Sequence, residues 1–115
     1  MPRYLLMLDL KNDPALIAEY EAHHRAVWPQ VLAHIRENGV IQMEIYRLGN
    51  RMAMLMETEA GFSFEKMAAA AAGNEAVQRW EELMWTFQQP TPFTEAGGKW
   101  QRADRIFDLQ AACTE

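Results

Sequence analysis

The chain predicts an α+β fold of the ferredoxin-like kind, a β-α-β-β-α-β sandwich with an antiparallel sheet on one side and two helical stretches on the other. Three observations carry this. Residues 40–48 and 51–58 alternate apolar and polar side chains around Gly49-Asn50, a hairpin signal. Residues 14–38 and 61–89 hold apolar side chains at three- and four-residue spacing, the mark of amphipathic helices. Short apolar runs at 4–10 and 105–109 supply the first and last strands in chain order.

Each element has its own local reason. The run YLLMLDL at 4–10 is too short for a comfortable helix and reads as a strand buried on both faces. Asp13 is an N-cap and Pro14 fits the first helical turn, where a missing N–H costs nothing. The helix from Pro14 toward Asn38 is expected to kink at Pro29, and Asn38-Gly39 stops it. In the hairpin, Ile41, Met43 and Ile45 share one face, as do Met52, Met54 and Met56 on the next strand. Gly73-Asn74 breaks the second helical stretch, after which Val77, Trp80, Met84 and Phe87 form a stripe. Residues 88–99, with two prolines and two glycines, read as a loop; 105–109 read as the last strand and 110–115 as a frayed tail. The 115 residues are expected to form one domain. Apolar side chains fall on both faces of the hairpin strands, so a homodimer packed sheet against sheet is the expected way to cover the second face.

Composition narrows the function. A net charge of −5 leaves no basic stripe for nucleic acid or an anionic membrane surface. No apolar run approaches the ~18–20 residues that span a bilayer. The N-terminus enters a strand at once, with no small-residue cleavage site, and a cytoplasmic location is expected. The single Cys113 excludes an internal disulfide and a multi-cysteine zinc site, and no metal or cofactor is expected. Four Trp and eight Met in so short a chain fill a core or line a pocket or subunit interface.

The segment from Tyr20 to Pro29 is the most informative. Tyr20, His24 and Trp28 follow at steps of four and share a helix face, whereas His23 turns aside by ~100°. An imidazole beside a phenol and an indole is a natural proton shuttle; the alternative is a core histidine satisfied by a backbone carbonyl. A second group, Trp80, Glu81, Glu82, Trp85 and Gln88, combines aromatic platforms with carboxylates and an amide. Sugar sites use such sets, an apolar ring to stack on and acceptors for hydroxyls; the alternative is amphipathic helix packing with solvated glutamates.

The element Tyr20-x3-His24-x3-Trp28-Pro29, with Gly39, Ile45-Tyr46, Met54 and Gln78-Arg79-Trp80, resembles the L-rhamnose mutarotase family over most of the chain. The resemblance implies a dimeric α+β barrel that interconverts the α and β anomers of a 6-deoxy-hexose without a cofactor. It implies that His24 is the proton donor and that Tyr20 and Trp80 bind sugar. Two positions depart from the family: Glu81 stands where a second tryptophan is usual, and Met43 where a tyrosine is. The run Trp80-Glu81-Glu82-Leu83-Met84-Trp85, with Gln88-Gln89-Pro90 and Gly98-Lys99-Trp100, resembles a branch of the family associated with L-fucose. The expected substrate-binding set is therefore Tyr20, Trp28, Met43, Trp80, Glu81 and Trp85 around a catalytic His24, with Trp80 or Trp85 stacking on the sugar and Glu81 reading hydroxyls. Two other functions fit the same fold: a dimeric monooxygenase, and a small ligand-binding module without catalysis.

Overall fold

The computed structural model describes residues 1–113. Strand β1 (Arg3–Leu10) pairs on one side with β3 (Arg51–Thr58), which in turn pairs with β2 (Val40–Leu48). On its other side β1 pairs with β4 (Gln88–Gln89), so the sheet runs β2-β3-β1-β4 and every pairing is antiparallel. This is the sheet order of a ferredoxin-like α+β fold. The hairpin turns at Gly49, whose φ of +61° suits a residue without a Cβ.

The helices lie on one face of the sheet. Leu6, Leu8 and Leu10 of β1 point to that face together with Met52 and Met56 of β3, and all five are buried. Leu8, Leu10 and Met52 meet Tyr20, Val31, Val77, Trp80, Met84 and Phe87 from the helical layer. A smaller cluster of Leu6, Val40 and Met56 packs under Tyr4, Phe62 and Phe64. Only one face of β1 is buried in this way. Leu5, on the opposite face, is 39% exposed, because no helix covers that side.

Four expectations change. First, residues 14–38 form two helices, α1 (Pro14–His24) and α2 (Pro29–Glu37), separated by a break instead of a kink. Pro29 has no N–H to donate backward and instead starts α2 in its first turn, while α1 closes with Ala26 N–H to His23 carbonyl at 3.2 Å. Asp13 does cap α1, accepting from Ala15 and Leu16 N–H. Second, a bulge between Val40 and Gln42 removes Ile41 from the core face and leaves Val40, Met43 and Ile45 there.

Third, the outer strand is not at 105–109. It consists of two pieces on the same edge of β1: β4 opposite Asp9 and Leu10, and β5 (Gln101–Arg102) opposite Leu6 and Met7. Residues 90–100 leave the edge between them, and Pro90 and Pro92 explain why, since neither has a backbone donor for the ladder. With that edge occupied, Ile106 and Phe107 find no partner strand within the chain and stand 96% and 68% exposed. Fourth, the expected frayed tail begins with a helical turn, α5 (Leu109–Ala112), capped by the Asp108 carboxylate; residues 114 and 115 lie outside the described residues. The Ala-rich stretch forms α3 (Phe64–Ala72), and the Val77 to Met84 stripe lies on α4 (Glu75–Trp85), as the periodicity predicts.

The face of Leu5, Met7, Tyr46, Ala53 and Leu55 remains without a cover from this chain. It also carries Asp9, buried to 5% exposure and held by two hydrogen bonds from Arg51 at 2.8 and 3.0 Å. A bidentate guanidinium is what makes a buried carboxylate tolerable.

Leu8→Ala deletes a side chain with no exposed surface. It is expected to cost about 2–5 kcal/mol in denaturant unfolding, whereas Leu48→Ala, at the exposed hairpin end, is expected to change stability by less than ~0.5 kcal/mol. Equal effects of the two would contradict the placement of the core.

Candidate active site

Helix α1 ends over the core cluster, and its last turns carry the ionisable groups. Tyr20 is buried at 4% exposure, with its ring among the core side chains. One turn on, the His24 ring lies 4.4 Å from the Tyr20 ring and 5.6 Å from the Trp80 indole, centroid to centroid. Trp80 comes from α4 and is itself met edge-on by Trp28 at 5.2 Å. Trp28 no longer belongs to the helix of Tyr20 and His24, yet it reaches the same group, because α2 begins one residue later and keeps its indole beside α4.

His24 Nδ1 lies 3.0 Å from the Tyr20 carbonyl oxygen. A carbonyl can only accept, so this bond places the imidazole proton on Nδ1 and leaves the lone pair on Nε2. Burial pushes the His24 pKa below its ordinary 6.5; the Tyr20 carbonyl works in the opposite direction and His23 adds a small further depression. The ring is therefore neutral at pH 7, with a basic nitrogen. The carbonyl contact is also what a purely structural histidine would make. The partly exposed ring and its aromatic surroundings separate it from a sealed core histidine.

Tyr20 faces the other way chemically. Its phenol oxygen accepts a hydrogen bond from Gln88 Nε2 at 3.2 Å. Burial raises its pKa above 10, with the Gln88 bond pulling down by less. The phenol is thus protonated at neutral pH and can donate. Ion pairing steadies α1 from outside: Glu21 accepts from Arg47 Nε of β2 at 2.9 Å.

The expected residues do not all meet. Tyr20, His24, Trp28 and Trp80 form one group. His23 does not turn away from the group: its ring lies 5.5 Å from Phe87 and 6.5 Å from Trp80. Glu81 and Trp85 instead meet Lys99, whose ammonium is 3.9 Å from the Glu81 carboxylate and 5.1 Å from the Trp85 ring centre. Glu81 sits roughly 100° and Trp85 roughly 140° around α4 from Trp80, toward solvent and the 90–100 excursion. Met43 packs in the smaller cluster with Leu6, Val40 and Met56. Gln88, expected beside Trp85, lies on β4, and its amide turns into the core toward Tyr20. No sequence signal links positions 20 and 88; only the pairing of Leu10 with Gln88 brings them together. Among the described residues no three His, Cys, Asp or Glu side chains converge as metal ligands, and no helix is long and apolar enough to cross a membrane.

Comparison with known proteins places this geometry in a family. A family profile described as L-rhamnose mutarotase matches residues 3–109. An L-fucose mutarotase of Xanthomonas campestris pv. campestris is 44% identical over 114 residues, covering 97% of this chain and 91% of the relative. An L-rhamnose mutarotase of Bacteroides thetaiotaomicron is 33% identical over 84 residues, 69% of this chain and 74% of the relative. Among solved structures, an L-rhamnose mutarotase from Formosa agariphila superposes with a TM-score of 0.70 at 18% identity, covering 94% of this chain and 98% of the other, a likeness of fold.

NMR titration of the imidazole carbons tests the electrostatics. The His24 midpoint is expected below 6.5, since burial disfavours the charged ring. A midpoint at or above 6.5 would contradict the dominance of burial over the Tyr20 carbonyl bond, which by itself raises the value.

Proposed function

The chain belongs to the L-rhamnose mutarotase family, and from that premise we propose that it interconverts the α and β anomers of a free 6-deoxy-hexose, L-fucose before L-rhamnose, by acid–base catalysis at His24. The observation that carries the reading is the Nδ1–H bond to the Tyr20 carbonyl at 3.0 Å, which leaves Nε2 basic in a half-buried aromatic recess.

Mutarotation opens a hemiacetal and closes it on the other face. In the opening step, Nε2 takes the proton of the anomeric hydroxyl while the bond between C1 and the ring oxygen breaks. The imidazolium then gives that proton to the former ring oxygen, leaving an open-chain aldehyde. Rotation about C1–C2 presents the second carbonyl face, and the reverse transfers close the ring. A single imidazole, neutral at pH 7 and able to take and return one proton, serves both directions. Tyr20 donates to a sugar oxygen, and the edges and faces of Trp80 and Trp28 meet the apolar side of the sugar. In this reading no cofactor takes part.

The preference for L-fucose rests on relatives and on one residue. The L-fucose mutarotase is the more similar of the two sugar-named relatives, at 44% against 33% identity, and over more of the chain. Glu81, at a position where the rhamnose-type pattern has tryptophan, removes one stacking face. It acts from the margin of the site, through its ion pair with Lys99, and Trp85 beneath the same lysine belongs to that margin too.

The open face of the sheet supports a homodimer. Leu5, Met7, Ala53, Leu55 and Tyr46 form an uncovered surface on the side away from the helices, and pairing two such faces gives the α+β barrel. A cytoplasmic location goes with a free sugar substrate and one unpaired cysteine.

Saturation-transfer NMR of anomeric protons tests the activity. The protein is expected to accelerate exchange of L-fucose more than that of L-rhamnose, and His24→Ala to lose at least ~10²-fold of the catalysed rate. Since the neutral ring is the base, the rate is expected to hold from about pH 8 down to the ordinary imidazole value of 6.5 and to fall only at lower pH. Undiminished exchange in His24→Ala would remove His24 from the mechanism. Light scattering at micromolar concentration is expected to give about twice the chain mass of 13.3 kDa; a monomer would leave the open face unexplained.

A further inference from the structure

We propose that Gln88 is a positioning residue that orients the Tyr20 hydroxyl, so that its proton is directed away from the protein and toward a sugar oxygen. The inference rests on the mutarotase reading and deepens it. A hydroxyl has one proton and two acceptor lone pairs. The Gln88 amide donates to the Tyr20 oxygen at 3.2 Å, and this uses a lone pair, not the proton. That bond is the only hydrogen bond of the phenol among the described residues, so no carbonyl, carboxylate or hydroxyl among them takes the proton. The phenol is left as a donor without an acceptor, one helical turn from the neutral imidazole.

The location of Gln88 supports a dedicated role. The residue is 6% exposed, opposite Leu10 at the inner end of β4, with its side chain on the helix face. Burying an amide is costly unless it is hydrogen-bonded, and a leucine would fill the same space without that cost. The backbone fixes the amide in turn: the Phe87 carbonyl accepts from Lys11 N–H at 2.8 Å, and Pro90 ends the pairing two residues later. The Tyr20 backbone carbonyl meanwhile holds His24 Nδ1. One residue thus sets the imidazole tautomer through its main chain, while its hydroxyl is set by Gln88. The two polar groups that face the substrate then have complementary roles, a base at His24 Nε2 and a donor at Tyr20.

The test is a double-mutant cycle with two readouts. Gln88→Met keeps the length and removes the donor; Gln88→Glu keeps the shape and can only accept. Both are expected to lower kcat/KM for L-fucose anomer exchange by roughly 3- to 10-fold, the size of one neutral hydrogen bond. In a Tyr20→Phe background the same Gln88 changes are expected to cost less than ~2-fold, because the group they act through is gone. In 13Cζ-tyrosine NMR the Tyr20 titration midpoint is expected to rise in Gln88→Met, since the Gln88 bond is what lowers it. Equal losses in the wild-type and Tyr20→Phe backgrounds would overturn the proposal. So would a fully active Gln88→Glu, which would show that the side chain accepts from the phenol. If the wild type exchanges no anomers of any 6-deoxy-hexose, the mutarotase reading fails by itself; an unmoved Tyr20 midpoint overturns the positioning role whatever the activity.

Discussion

The bond from His24 Nδ1 to the Tyr20 carbonyl, 3.0 Å long and spanning one turn of α1, is the constraint on which the rest of the site depends. It fixes which nitrogen is basic, and it does so with a backbone group, so no second ionisable side chain is needed to orient the imidazole. A carbonyl oxygen has two lone pairs, so it can take a ring N–H in addition to a helical partner. Helix α1 ends at His24 and Pro29 begins a new one, so no further turn of α1 stands beyond the imidazole. The proline that looks like a defect in a long helix therefore leaves the His24 ring at a helix end.

Tyr20 can hold that position because it is also a core residue. Its ring packs with Leu8, Leu10, Met52, Val77, Trp80, Met84 and Phe87, the group that ties α1 and α4 to the sheet. Stability and chemistry therefore share a side chain. Burial that anchors the ring also raises the phenol pKa, and the same burial lowers that of His24. Both shifts favour the neutral forms, so one low-dielectric recess supplies a neutral base and a protonated donor together.

The two faces of the sheet divide the labour. The helix face carries the recess, and the opposite face carries Leu5, Met7, Ala53, Leu55 and Tyr46 with the Asp9–Arg51 pair. The interrupted outer strand connects the two functions. Its first piece delivers Gln88 to the phenol, and the excursion between the pieces brings Lys99 over Trp85 and next to Glu81. Trp100, at the end of that excursion, packs against both core clusters and anchors the loop beside the site.

Much of this is legible in the chain itself. Alternation around Gly49-Asn50 determines the hairpin, three-four spacing determines the helical stripes, and together they determine the ferredoxin-like order. The meeting of the Tyr20 and His24 rings is legible in their spacing, since residues four apart meet on any helix, whereas Trp28 reaches the group from beyond the end of α1. The outer strand escapes such reading because its composition is weak: two residues on either side of a proline-rich excursion carry no period, and Ile106-Phe107 is the better strand by composition. The placing of Glu81 and Trp85 on a face adjacent to that of Trp80 follows from spacing, but not which face meets His24. Neighbours in sequence lie ~100° apart on a helix, and which of those directions faces the recess is decided by what packs against α4. His23 departs from expectation because side chains that diverge by ~100° can still reach one large neighbour, and Phe87 and Trp80 lie on the side that His23 takes. The pairing of Gln88 with Tyr20, across 68 positions, is beyond any local pattern. Periodicity and spacing determine local structure because they act within a few residues, and the bond from His24 to the carbonyl four residues before it is of that kind, whereas the partner of Tyr20 and the packing of Trp80 against His24 exist only once distant segments are brought together, and those the tertiary structure alone decided.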